Sequence, residues 1–257
     1  VKKFFSNARV DLRRAFSSFE FLLSVAGMCT VLFLSVSSQL RAMVNGLMQS
    51  DVLNLYNLAH FQGFSLLSAI FATLPYSTSF CIDWNNQFIR SVVIRTNIRT
   101  YGISKALTCA LAGGSAVALG EVLFILLLCL CFPLVGPEGN LNNSMLSGGN
   151  LIAFFSFQIL VKFFAATFFS VLALWISTYL TNVFVTLAVP ILSFYFLITI
   201  PPVIGISMRW FYNALMGSAY ANNPYGSLLY SIVVCSLLSI LMGILVVGQI
   251  RRRLEHG

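Results

Sequence analysis

Two charged residues, Glu121 and Lys162, lie inside long apolar stretches, where a charge costs enough to make each a functional candidate by itself. Glu121 is fifteen residues in from Ala106 and Lys162 eleven in from Leu151, so at about 1.5 Å per helical residue both fall near the middle of a bilayer. A carboxylate and an ammonium at matching depth can pair, and such a pair either braces two helices or lines a substrate path. Glu121 alone is also the residue a proton-coupled secondary transporter would use, although the inverted internal repeats expected of that class are not visible. Other chemistries lack their residues. There is no H-E-x-x-H motif and no pair of acids within a span, and a serine–histidine dyad would have to be built on His60, which disfavours an intramembrane protease. No G-x-x-x-x-G-K-[ST] segment occurs, so the chain does not cradle nucleotide phosphates in the P-loop manner. The six cysteines fall in or at the edges of apolar stretches and read as small hydrophobes, with no metal site assigned even to the close pair Cys129 and Cys131.

The elements that position these residues follow from composition. Of 257 residues, 58% are hydrophobic and only 9% charged, against about 25% charged in a soluble globular protein. Too few charges exist to cover a soluble surface, and the apolar runs are continuous rather than alternating, which excludes a β-barrel and leaves an all-α integral membrane protein. Six stretches reach the length of a span: about Phe21 to Ser38, Leu58 to Ile82, Ala106 to Phe132, Leu151 to Ser177, Leu180 to Ile200 and Leu228 to Gly248. The first is read as a true span rather than a signal peptide, and a tight turn around Tyr179, Thr181 and Asn182 separates the fourth from the fifth. Twelve of the fifteen Lys and Arg lie before the first span, between the second and third, or after the sixth, so both termini are expected on the cytoplasmic side. The net charge of +8 is thus a topology signal, with no nucleic-acid partner implied. Pro75 and Pro190 are expected to kink the second and fifth spans.

Two segments are expected to lie on the membrane rather than in it. On a helical wheel of residues 1–20, Phe4, Phe5, Ala8, Leu12, Ala15, Phe16 and Phe19 share one arc, with Arg9 and Arg13 in the next, the pattern of a cationic interfacial helix. The link from Asp83 to Lys105, about twenty-three residues without a proline, is long enough for structure of its own. Read as one helix it has two apolar arcs, Phe88, Ile89, Val92 and Val93 in the first and Ile94, Ile98 and Tyr101 in the second, separated by Arg90 on one side and Arg95 and Arg99 on the other. Two apolar faces imply contact with the membrane domain and with a cytoplasmic partner.

The run PYSTSFCIDW…VIRTNIRTYGISK, through Pro75, Phe80, Asp83, Arg95, Tyr101 and Lys105, resembles the region between the second and third spans of bacterial ATP-binding-cassette permeases of the ABC-2 type. The six-span layout and the amphipathic first helix extend that resemblance over nearly the whole chain. It implies the type V exporter fold, a single permease domain over residues 1–257 in the plasma membrane, with short re-entrant helices in residues 201–226. It implies no enzyme activity in this chain itself: ATP and Mg would be bound by a separate ATPase subunit, coupled through Asp83, Phe88, Arg90, Ile94, Arg95, Ile98, Arg99, Tyr101 and Lys105. A second permease copy or paralogue would complete the channel. The resemblance, with the Phe-rich spans, points to export of hydrophobic or amphipathic molecules such as peptides, toxins, antimicrobials or drugs.

Overall fold

The structure is a computed structural model, and it describes residues 2–45, 50–61, 65–134, 151–203, 205, 209–218 and 223–256. Twelve helices and no strand occur among the described residues: α1 (Lys2–Phe16), α2 (Phe19–Ser35), α3 (Ser37–Val44), α4 (Val52–Phe61), α5 (Ser65–Thr73), α6 (Ser79–Asn85), α7 (Phe88–Arg95), α8 (Ile98–Cys131), α9 (Leu151–Ser177), α10 (Val183–Val203), α11 (Arg209–Met216) and α12 (Pro224–His256). Three of them, α8, α9 and α12, are long and apolar enough to cross a membrane, and a fourth span arises if α1 and α2, bent by 51°, count as one. Ser18 makes that bend, ending α1 and capping α2 by accepting a hydrogen bond from the Phe21 amide at 3.2 Å.

The second expected stretch is divided. Pro75 does more than kink it: residues 74–78 form a turn that separates α5 from α6, because proline offers no amide to the helical ladder. Pro190 stays inside α10, whose described apolar portion, Val183–Leu197, is shorter than a full span. Between α9 and α10 the chain turns through residues 178–182, where the Asn182 side chain accepts from the Phe184 amide at 3.0 Å, as the tight turn in the sequence requires. The link from Asp83 to Lys105 is not one helix. Gln87, with φ 56, sits in the left-handed region and closes α6, α7 follows, and an extended Thr96 and Asn97 precede α8. The two-arc wheel therefore applies to no continuous element. Of the segment 201–226, residues 201–203 end α10, 224–226 begin α12, and α11 between them buries Phe211, Ala214 and Leu215 against α9 and α12, while 204, 206–208 and 219–222 lie outside the described residues.

α8 is the central element and touches α1, α2, α5, α9 and α12. Its small residues make this possible. A Cβ on Gly113 would overlap the Ala72 carbonyl oxygen of α5 and come within 2.6 Å of the Ser170 side chain of α9, and one on Gly120 would come within 2.7 Å of Met28 on α2. Close backbone approach at small residues is the usual basis of helix association in lipid. With 34 residues, α8 is about 51 Å long and so extends well beyond a hydrocarbon core of about 30 Å.

Gly113→Val should lower the thermal stability of the detergent-solubilised protein by about 1–3 kcal/mol through overpacking. Gly248→Ala, where nothing lies within 4 Å, should leave it unchanged or slightly raised. Equal melting temperatures for both variants would contradict this account of α8.

Candidate functional site

At the end of the bundle where α8 begins, α1, α6, α7 and the last turns of α12 gather most of the described cations, and this end is called here the basic end. Arg253 on α12 donates to the Tyr179 carbonyl and lies over the Trp84 ring, 5.0 Å from its centroid, joining α12, the α9–α10 turn and α6. Beneath lies a small apolar core, separate from the main one, with Ala15, Phe80, Ile89, Ala112, Leu174, Val246 and Ile250 buried in it.

A polar network is set into that core. Lys105 is 1% exposed, and its Nζ donates to Asp83 Oδ2 at 2.8 Å and to the Tyr76 hydroxyl at 2.9 Å, with Asp11 Oδ1 at 3.9 Å. Tyr76 donates onward to Asp11 Oδ1 at 2.8 Å, Ser104 to Asp11 Oδ2 at 2.7 Å, and Tyr101 to Asp83 Oδ2 at 2.9 Å. Arg14, half exposed, approaches Asp83 Oδ1 at 3.5 Å. Two carboxylates thus face two cations, and the aromatic rings of Tyr76 and Tyr101 flank the ammonium at 4.6 and 5.7 Å. A buried lysine is tolerable where its charge is paired and its protons find acceptors; Asp83 and Tyr76 accept from Lys105, Asp11 adds its charge at 3.9 Å, and the two phenols and Ser104 donate to the carboxylates. The network ties α1, the turn before α6, α6 itself and the first turns of α8 into one unit.

The residues that the resemblance assigns to ATPase coupling therefore divide. Asp83, Tyr101 and Lys105 point inward and bond to one another, while Phe88 and Ile94 are exposed, Ile94 by 86%. Ile98 is partly buried against the small core and Arg99 is exposed. The side chains of Arg90 and Arg95, like those of Phe4 and Phe5 on α1, lie outside the described residues. Phe16 and Phe19 are exposed where α1 meets α2, and Leu12 is partly buried. A cleft of about 710 Å³ opens between α7 and the end of α12, lined by Trp84, Gln87, Val93, Ile94, Ile98 and Arg253.

A second polar cluster lies deep in the bundle. Glu121, 0% exposed on α8, accepts from the Tyr56 hydroxyl at 2.8 Å and lies 2.9 Å from His60 Nε2, both partners coming from α4. The expected direct pair with Lys162 is not what holds this carboxylate: among the described residues no ion pair joins the two, and the close partners of Glu121 are Tyr56 and His60. The reason is positional, since α4 inserts two polar side chains one turn apart against α8. His60 Nδ1 lies 2.9 Å from the Tyr56 carbonyl oxygen, which only accepts. With both ring nitrogens facing acceptors, the arrangement requires a proton between Nε2 and the carboxylate, carried by either group.

Sequence reasoning passed over Asp11, Arg14, Tyr76, Ser104 and Tyr56. One signal was available: Asp11 is the sole acid in the first nineteen residues, placed among five cations, and Tyr101, Ser104 and Lys105 share a helical face by their spacing. Comparison of the chain with protein-family profiles, with curated proteins and with solved structures found no match.

Lys105→Met should destabilise the protein by about 3–5 kcal/mol, because it leaves Asp83 and Asp11 facing each other without their shared cation. Adding Asp83→Asn should recover part of the loss. Thermal unfolding in detergent reads both, and a double variant as unstable as the sum of the singles would mean the residues do not interact.

Proposed function

We propose that this membrane-embedded helical protein is the permease subunit of an ATP-driven exporter, working with a separate ATP-binding-cassette ATPase and a second permease copy or paralogue. The observation that carries the reading is α7. It stands outside the candidate spans at the basic end, is anchored through its neighbours to the buried Lys105 network, borders the 710 Å³ cleft and presents Ile94 almost fully exposed. An exposed apolar side chain on a short helix with a rigid base is what a transmission contact with a cytoplasmic subunit needs. The resemblance to ABC-2 permeases supports the same role. In this reading α2, the α4–α5 region, α8, α9, α10 and α12 supply six spans, α1 lies in the interface, the basic end is cytoplasmic by the positive-inside rule, and α11 belongs to an outer re-entrant segment. ATP and Mg are bound by the partner ATPase, and the cargo is hydrophobic or amphipathic, in keeping with the Phe-rich α9.

A second reading, a proton-coupled transporter, draws on the proton held between His60 and Glu121. The two readings separate cleanly in inverted membrane vesicles loaded by uptake of an amphipathic dye. The exporter reading expects transport to require ATP, to be blocked by orthovanadate and to survive a protonophore; the opposite pattern supports the second. It further expects a P-loop ATPase, identified by mass spectrometry, to co-purify from the native membrane, and Ile94→Glu to lower its yield at least tenfold while leaving the melting temperature unchanged. Glu121→Gln should leave ATP-dependent transport within about twofold if the cluster only braces α4 against α8, and should abolish transport if it carries the coupling proton.

A further inference from the structure

On the outer surface of the bundle a groove of about 510 Å³ runs between α8 and α12, with α9 at its base. Its walls are aliphatic, with Ile103 and Leu107 from α8 facing Ile244 and Val247 from α12, and Gly243 leaves its middle open. Two cations stand at one end. Arg99 comes from the first turn of α8 and Arg251 from the last turns of α12; both line the groove at the basic end.

Both helices are long and apolar enough to cross a membrane, so once the chain is embedded a groove on their outer side is open to lipid. From Arg99 to Ala110, the deepest lining residue of α8, the chain climbs eleven residues, or about 16 Å, close to the roughly 15 Å depth of one leaflet. An aliphatic channel one leaflet deep, with guanidinium groups at headgroup level, has the dimensions of a lipid. The charge fits as well. Glu255 takes only the Nε of Arg251, at 2.6 Å, leaving that residue's terminal nitrogens to donate elsewhere, and Arg99 has no acidic partner among the described residues. Two arginines against one carboxylate leave a net positive mouth, and basic sites between helices at a membrane surface favour anionic headgroups.

We propose that this groove binds an anionic phospholipid from the adjacent leaflet, with one acyl chain between α8 and α12 and its phosphate on Arg99 and Arg251. The site assigns Arg99 to lipid rather than to a protein partner. It needs only that the chain is embedded in a membrane and does not rest on the exporter reading.

The test uses the full chain, delipidated in detergent and titrated with phosphatidylglycerol or phosphatidylcholine of identical acyl chains, read by native mass spectrometry. Phosphatidylglycerol should bind more tightly, and Arg99→Ala with Arg251→Ala should weaken it roughly tenfold while leaving phosphatidylcholine unchanged. Gly243→Leu supplies a second arm. A Cβ there meets only the Ala106 methyl at 3.7 Å, so the longer side chain enters the groove without disturbing the backbone. It should displace both lipids with the melting temperature in detergent preserved. Equal binding of the two lipids by the wild type, or retention of phosphatidylglycerol by both variants, would overturn the proposal. So would a Gly243→Leu protein that keeps its lipid but loses a dimer on light scattering, since the groove would then seat a second copy of the chain.

Discussion

A single ammonium group decides how the basic end of this protein is built. Lys105 is sealed from water on a helix that is otherwise apolar for most of its length, and leaving it unpaired there would cost several kcal/mol. Every neighbouring element is placed to prevent that. α6 delivers Asp83, the turn before it delivers Tyr76, and α1 bends at Ser18 so that Asp11 reaches Tyr76 and Ser104. Because partners converge on α8 from three chain segments, α1 and α6 cannot shift independently of α8. The apolar residues around them, such as Phe80 and Ile89, exclude water and thereby strengthen each bond in the network.

The membrane class of the chain and its helical content could be read from the 9% charge and the continuous apolar runs, because both are properties of composition that no tertiary contact alters. Three long helices emerged where the hydropathy placed them, and so did the turn at Thr178 to Asn182. The break at Pro75 was visible as a proline, but whether a proline kinks or ends a helix depends on what receives the freed carbonyls. Here Pro75 leaves the Phe71 carbonyl without its helical donor, the Ser24 hydroxyl of α2 donates to that carbonyl instead, and the chain turns away.

The sites were legible only in part. Glu121 could be singled out because an acid in an apolar stretch needs a partner, but sequence offers depth and not direction around the helix. Lys162 matched it in depth, while His60 and Tyr56 matched it in space. Likewise, the wheel for residues 83–105 sets Tyr101 on a docking face and the resemblance adds Asp83 to it, since nothing local announces that Gln87 adopts a left-handed conformation and that Asn97 precedes the start of a new helix. Once the chain is broken at those two points, the polar residues turn inward and the aliphatic Ile94 is left outside.

The unbroken length of α8 has a mechanical consequence. Lys105 and Glu121 are sixteen residues apart on one hydrogen-bonded rod, about 24 Å along its axis, with no proline between them. Such a rod acts as a lever clamped near one end in the ionic network, with Glu121 further along it bonded to Tyr56 and His60. A tilt of only about 5° about the clamped end displaces Glu121 by roughly 2 Å, which carries its hydrogen bonds beyond their working distance. Angular play at the basic end is thereby converted into the making or breaking of a polar contact deep in the bundle.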